Sequence, residues 1–535
     1  MNGRLDSDFY EPSRYSKELA VVRSRIPNAP LSSFAEPGTS VTYGIVQPGT
    51  FVAPGHGVRM IRCVDISGLS VKSSEVLWVS HEIARPYSRS SVLPRDVLIG
   101  IAGSLGCIAV VPREIEPANL NQSVARLRAN IGDGEDPEWI AAFLASSYGQ
   151  AILLRRSVGS VQQHLNLGDL PEIPVVNPAS TVRKYVGEKV RQAERLRAKA
   201  QNLLTSATRL VDLLIDGEMT EDQIKAHDFD HGRLASPQQQ DHCRRAKHAR
   251  TRHVELTNRI DAWYYQPHLV SAYQKIKASG NCQILADVID NDRDVKGGAT
   301  PLGAEYIAGG TVRFYRTSEV SGLAVHSAHA VFISEEQDRA MTRSRLAEGD
   351  VLLTITGADF GHAGVITKRH LPGNISQHSV RFRPTIDPSY LVAYLESSYG
   401  QRMIWRQAYG ATRPAIDYPG VKSLLIRVPD PAVQTVIGDA VRSGVLARDC
   451  ASWLVSGAKL LVEALIEGKV TEDELVNAQK ALERGDRAID HAILSRLTED
   501  GIDVADKPPL FADLDALYAI IDEAQRTQPS SGDTA

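Results

Sequence analysis

At 535 residues the chain exceeds one ordinary domain of about 100–200 residues, and its 43% apolar and 23% charged residues exclude a disordered chain or a fibre. The 60 basic and 64 acidic side chains give a net charge of -4, so no global positive excess advertises a nucleic acid. Residues 501–535 hold seven of those acids against Lys507 and Arg526, which leaves the rest near balance and a polyanionic partner open.

The N-terminal Met1-Asn2-Gly3-Arg4-Leu5-Asp6 has no apolar run behind it, so no secretory signal is expected. Five scattered cysteines without a C-x-x-C pair argue for a reducing, cytoplasmic setting and against a disulfide framework or zinc ribbon. The uncharged stretch from Val97 to Val111 falls short of the roughly 20 residues that span a bilayer. Two β-rich runs flank Gly103-Ser104-Leu105-Gly106 within it and predict a buried hairpin.

From Val182 to Leu214, Ala193, Leu196, Ala200, Leu203, Ala207, Leu210 and Leu214 recur at alternating spacings of three and four, the seam of a coiled coil. Gly217 stops that helix, and Thr220-x-x-Gln223 restarts the chain as a capping box. Residues 225–258 are rich in His, Gln and Arg and read as a linker.

The chain then repeats itself at an offset of about 250 residues, every landmark in the same order. Arg4-Leu5-Asp6-x-x-Phe9-Tyr10-x-Pro12 returns as Arg259-Ile260-Asp261-x-x-Tyr264-Tyr265-x-Pro267. Arg62-x-x-Asp65-Ile66-Ser67-Gly68-Leu69 returns as Arg316-x-x-Glu319-Val320-Ser321-Gly322-Leu323. Asp96-Val97-Leu98-Ile99 matches Asp350-Val351-Leu352-Leu353, and Ser146-Ser147-Tyr148-Gly149-Gln150 returns unchanged at 397–401. The second seam runs Gly444, Ala447, Ala451, Leu454, Ala458, Leu461, Leu465, followed by Gly468 and Thr471-x-x-Glu474. Small residues at alternate seam positions let two backbones approach, so the two helices are expected to pack on each other. Beyond them, Leu514, Leu517, Tyr518 and Ile521 predict a last helix on an acidic background.

Catalytic signatures are scarce. There is no glycine-rich cofactor loop with an Asn/Asp-Pro-Pro-aromatic pocket and no G-x-x-x-x-G-K-[ST] phosphate loop. Pro429-Asp430 with Glu467-Gly468-Lys469 resembles the Mg²⁺ site of a nuclease, although the first half offers only Asn177 and Asp216-Gly217-Glu218 there. His227, His231, His242, Cys243, His248 and His253 have spacings that fit no standard zinc site. Arg244, Arg245, Lys247, Arg250 and Arg252 form a run without an acid, a solvated face or a set of phosphate contacts.

In this combined order the chain resembles the specificity (S) subunits of type I restriction–modification systems over roughly residues 4–475. The resemblance rests on the paired aromatic-Tyr-x-Pro starts, the Gly-Asp-Val-Leu-Leu run at 349–353, and the Ser-Ser-Tyr-Gly-Gln helices. It rests also on Gly159-Ser160-Val161-Gln162-Gln163-His164-Leu165 leading to Ile173-Pro174-Val175, with Gly410-Ala411-Thr412-Arg413-Pro414-Ala415-Ile416 leading to Ile426-Arg427-Val428-Pro429. The resemblance implies an α+β fold: two repeated mixed α/β target-recognition domains separated by two long antiparallel coiled-coil helices. The expected order is recognition domain 1–180, spacer helix 181–217, linker 218–254, recognition domain 255–431, spacer helix 432–468 and a helical acidic extension 469–535 with a disordered end.

It also implies a subunit without catalytic activity or a cofactor of its own, S-adenosylmethionine and ATP belonging to partner subunits. The partners it implies are double-stranded DNA, two methyltransferase subunits and restriction–translocase subunits, with no membrane. A helix of about 34 residues would span on the order of 50 Å, more than one turn of B-DNA.

Base contacts are expected from Ser160, Gln162, Gln163 and His164 and from Asn121, Gln122 and Ser123 in the first half. In the second they are expected from Thr412 and Arg413 and from Ser376, Gln377, His378 and Ser379, Gln suiting adenine and Arg guanine. Polar surface turns are the plain alternative. Arg126, Arg128, Arg381 and Arg383 are phosphate contacts or solvated strand edges. Two other functions remain open: a self-contained nuclease using Asp430, Glu467 and Lys469, and a protein–protein scaffold.

Overall fold

The computed structural model describes residues 7–72, 76–113, 115, 117–130, 136–159, 163–235, 259, 261–300, 306–307, 309–327, 330–410 and 412–526. It divides into two compact units, residues 1–197 with 448–535 and residues 198–447. The unit boundary therefore falls inside the two long helices, Ser180–Asp216 and Pro431–Ile466. Each unit takes the first part of one helix and the last part of the other, as an antiparallel pair requires. The expected seam is buried throughout, from Ala193 to Leu214 and from Ala447 to Leu465. In the second unit a Cβ added to Gly444 would lie 2.8 Å from Leu204 Cγ, so only glycine permits that approach.

The recognition domain of the first unit holds two four-stranded sheets. One is antiparallel and runs Thr42–Tyr43, Val124–Leu127, Val97–Gly100, Ile108–Val110. Its central hairpin is the uncharged stretch, with Gly103 and Gly106 at positive φ of 74° and 76° in the turn. The other runs Leu77–Val79, Val58–Ile61, Ala118–Leu120, Ser91–Val92, the middle pair parallel. The second unit repeats both: Lys296–Gly297, Ser379–Phe382, Val351–Thr354, Ala363–Val365, and Val331–Ile333, Val312–Tyr315, Gly373–Ile375 with the same parallel pair.

The repeated motifs are the joints of each unit. Ser146 and Ser397 cap their helices by accepting the N–H of Gly149 and Gly400. Gln150 and Gln401 donate to the carbonyls of Gly106 and Gly361, tying helix to hairpin. Arg155 stacks on Phe9 at 3.9 Å and Arg406 on Tyr264 at 3.9 Å, which anchors the aromatic-Tyr-x-Pro starts.

The same helices dock on acids of the spacer. In the first unit Ser147 N–H donates to Glu463 at 2.6 Å and Tyr148 Oη to Glu467 at 3.1 Å. In the second, Tyr399 N–H donates to Asp212 at 3.3 Å and Tyr399 Oη to Asp216 at 2.5 Å. Both spacer helices end as expected, Gly217 at φ 74° and Gly468 at φ 71°, each followed by a complete capping box.

Two segments outside the recognition domains and spacer helices are also built into the units. The start of the presumed linker forms short helices, Glu221–Lys225 and His231–Leu234. Met219, Phe229 and Leu234 pack there on the core of the second unit. The C-terminal extension folds within the first unit as Glu472–Glu483, Ala488–Ser495, a small hairpin and Leu514–Arg526. Its Asp490 is 1% exposed and accepts from Lys189 Nζ at 2.5 Å, Tyr185 Oη at 2.6 Å and Tyr518 Oη at 2.8 Å. No helix among the described residues is long and apolar enough to cross a membrane.

Candidate nucleic-acid interface

The two candidate sets of each half meet at one strand end. In the first unit the chain leaves strand Val97–Gly100 through Ile101 and Ala102. Ile101 N–H donates to Ser123 O at 2.8 Å, and Leu165 N–H donates to Ile101 O at 2.9 Å, while Ala102 bridges His164. The 121–123 turn and the His164–Leu165 strand thus flank Ile101. In the second unit Ile355 N–H donates to His378 O at 2.9 Å and Ile416 N–H to Ile355 O at 3.0 Å, while Thr356 bridges Ala415. The sequence suggested the two sets separately; their junction follows from the hairpin register, which the repeated Asp-Val-Leu run encodes.

Both loops are closed at the neck by short antiparallel pairing, Val158 with His164 and Tyr409 with Ala415. Each then turns through a glycine at positive φ, Gly159 at 101° and Gly410 at 92°, where a side chain would be strained. Gly410 has a second reason, since a Cβ there would sit 2.4 Å from Arg413 O.

On this frame Gln122, Gln163 and His164 are exposed in the first unit, and Gln377, Thr412 and Arg413 in the second. Asn121 and Ser123 are half-buried, with Asn121 Oδ1 accepting Ser123 N–H at 3.1 Å and so fixing the turn. His378 is half-buried. Ser376 and Ser379 are 4% and 1% exposed, so the turn presents Gln377 and His378 and turns both hydroxyls inward, against the expectation for them. Ser160 and Gln162 lie outside the described residues, as do Arg244, Arg245, His242, Cys243, His248 and His253.

Arg126 and Arg381 are buried and Arg128 and Arg383 half-buried, and all four are bonded within the protein, which corrects their reading as phosphate contacts or solvated strand edges. Leu127 faces Val97 across the strand pair, which sets Arg128 beside Asp96, and Phe382 faces Val351, which sets Arg383 beside Asp350. Arg128 Nε donates to Asp96 at 3.0 Å and Arg383 Nη2 to Asp350 at 3.1 Å. Arg126 is 4% exposed and donates to Arg89 O at 3.1 Å; Arg381 is 6% exposed and donates to Arg343 O at 2.7 Å. Burial holds both guanidinium groups below their ordinary pKa. These side chains lock the strands that lead to Ile101 and Ile355.

The nuclease pattern dissolves in the same way. Asp430 caps the start of helix Pro431–Ile466, accepting Ala432 N–H at 2.8 Å, and Glu467 follows its end. A helix of 36 residues lies between them, roughly 50 Å at 1.5 Å per residue, so the two carboxylates cannot share a metal ion. Glu467 instead accepts Tyr148 Oη and pairs with Lys469 at 2.7 Å.

No family model matches the sequence. The specificity subunit of the Escherichia coli type I restriction enzyme EcoBI is 22% identical over 381 residues, 70% of this chain and 70% of that protein. The S subunit of a type I restriction–modification system from M. genitalium is similar over 83% of this chain and 96% of its own, at 12% identity and a TM-score of 0.38. The HsdS subunit of Thermoanaerobacter tengcongensis is similar over 86% of this chain and 97% of its own, at 16% identity and a TM-score of 0.24. Over most of the length of both, this chain is similar to the specificity subunit of a type I restriction enzyme.

Proposed function

We propose that the chain reads a bipartite double-stranded DNA target, each unit taking one half-site, and that methyltransferase subunits assemble on it. The observation that carries this reading is the pairing of a constant frame with variable tips. Both reading edges are closed by the same hydrogen bonds around Ile101 and Ile355, yet one loop presents Gln163 and His164 and the other Thr412 and Arg413. A scaffold that bound only proteins would have no reason to vary those tips on a fixed frame, whereas base edges differ in donors and acceptors and demand it. The chain's own part is recognition and spacing; methyl transfer and any cleavage or translocation fall to its partners, where S-adenosylmethionine and ATP would act. Two methyltransferase subunits, one for each half-site, fit the duplication, and a restriction–translocase subunit would complete a restricting complex.

Mapping methylated bases in cells with and without the chain tests the proposal. The expected result is a single motif of two short specific blocks separated by unread positions, present only with the chain. A continuous motif, or methylation indifferent to the chain, would overturn it.

A further inference from the structure

Resting on the reading just proposed, we infer that Gln122 and Gln377 form a matched pair that reads the same base, an adenine, in both half-sites. The stretches 117–128 and 372–383 align residue by residue without a gap, and five positions are identical: the proline, the asparagine, the glutamine and both arginines. Four of these belong to the frame. Pro117 and Pro372 each pass a carbonyl to the neighbouring parallel strand, accepting from Arg59 and Arg313. Asn119 and Asn374 are buried at 2% and 0% exposure, each accepting the next residue's N–H while donating to the carbonyl of Tyr87 or Met341. The arginines hold the strands, as described above.

The glutamines have no such internal duty. Both are exposed, and neither side-chain amide bonds to protein among the described residues. Each occupies the second position of a β-turn, closed by Val124 N–H to Asn121 O at 3.3 Å and by Ser379 N–H to Ser376 O at 3.2 Å. That position favours proline and accepts most residues, so the turn does not call for glutamine. The surroundings fix its backbone in the same place twice. Gly44 and Gly298 press against the strand before each turn so closely that a Cβ would lie 1.9 Å from Leu120 O and 2.0 Å from Ile375 O.

The flanking residues differ, Asn121 against Ser376 and Ser123 against His378, as do the tips of the neighbouring loops. One identical group held identically amid varied neighbours serves a feature common to both half-sites. The carboxamide offers one donor and one acceptor side by side, the complement of adenine N7 and its 6-amino group in the major groove.

The test uses the full-length chain assembled with its methyltransferase subunits, selecting target sites from random duplex DNA. Wild-type sites should show an adenine at corresponding positions of the two half-sites. Gln122→Ala should relax that position in one half-site and Gln377→Ala in the other, with discrimination falling about tenfold or more. Gln→Glu, which only accepts, should shift preference toward cytosine at that position. Three results would overturn the inference while leaving the bipartite reading intact: unchanged motifs in the alanine variants, equal weakening on all sequences as for a phosphate contact, or loss of the methyltransferase subunits with selectivity retained. The absence of any bipartite motif in the wild type would instead remove the reading on which the inference rests.

Discussion

The two units carry the same reading edge on differently supported helices. In the second unit the spacer and recognition domain share one apolar cluster running from Leu203 to Val441, and Ala440 occupies the seam register that Lys189 holds in the first. In the first unit the C-terminal extension covers the helix at that register through a buried ion pair, Asp490 with Lys189, flanked by Tyr185 and Tyr518. Duplication thus kept the hydrogen-bonded frame that holds the loops and let the packing behind it diverge. On the proposed reading, specificity lies in what the frame presents, whereas stability is carried separately in each unit.

That contrast can be broken most forcefully at Asp490. Its carboxyl pKa is held below the ordinary value: burial pushes it up, but Lys189 and the two tyrosine hydroxyls outweigh burial. Asp490→Ala leaves Lys189 charged at 3% exposure, a loss of about 3–5 kcal/mol. Denaturant unfolding should show this in the first unit, while hydrogen exchange in the second stays unchanged. The double variant Asp490→Leu with Lys189→Met should recover most of the loss, since replacing both charges by apolar groups is often neutral.

Acid should sharpen the contrast in the opposite direction. His370 in the second unit is 1% exposed, and burial, followed by Arg369, pushes its pKa down to about 3; Ile115 stands at the equivalent place in the first unit. The folded form keeps this imidazole neutral while the unfolded chain protonates it below about 6.5. Stability is therefore complete above that pH and falls as pH drops from about 6.5 toward 3. Asp490 loses its contribution only below about 3.8. His362, raised by its hydrogen bond to Glu396, acts in the opposite sense, but its side chain is 39% exposed. Hydrogen exchange at pH 5 should show the second unit loosened and the first unaffected, and His370→Leu should flatten that response.

Smaller effects separate presentation from support. Arg413→Ala should cost about 1–3 kcal/mol of discrimination at one base pair of one half-site, read from selected target sequences. Arg128→Ala should instead lower the stability of the first unit and leave the salt dependence of DNA binding unchanged, because its guanidinium is committed to Asp96. Removing the docking acids, Asp212→Ala in the second unit or Glu463→Ala in the first, should each cost about 1 kcal/mol and loosen only the unit that contains it.

Much of this arrangement was legible in the sequence because it is repeated. The seams, the terminating glycines, the capping boxes and the hairpin follow from spacing and turn chemistry, which act locally. The exposed tips Gln163, His164, Thr412 and Arg413 were legible as loops on a shared framework. The roles of Arg126, Arg128, Arg381 and Arg383 were not, because an alternating pair of arginines reads as surface until strand register brings Asp96 and Asp350 beside it. Asp490 was hidden for a similar reason: its partners Lys189 and Tyr185 are some 300 residues away, and in an acidic extension one carboxylate looks like another.

On the proposed reading, each unit recognises its own half-site through its own loop. That reading is tested most directly by replacing residues 160–163 with the four residues at 411–414 and mapping the methylated motif. The half-site read by the first unit should change while the other stays the same. A motif unchanged in both halves, or altered in both, would contradict it.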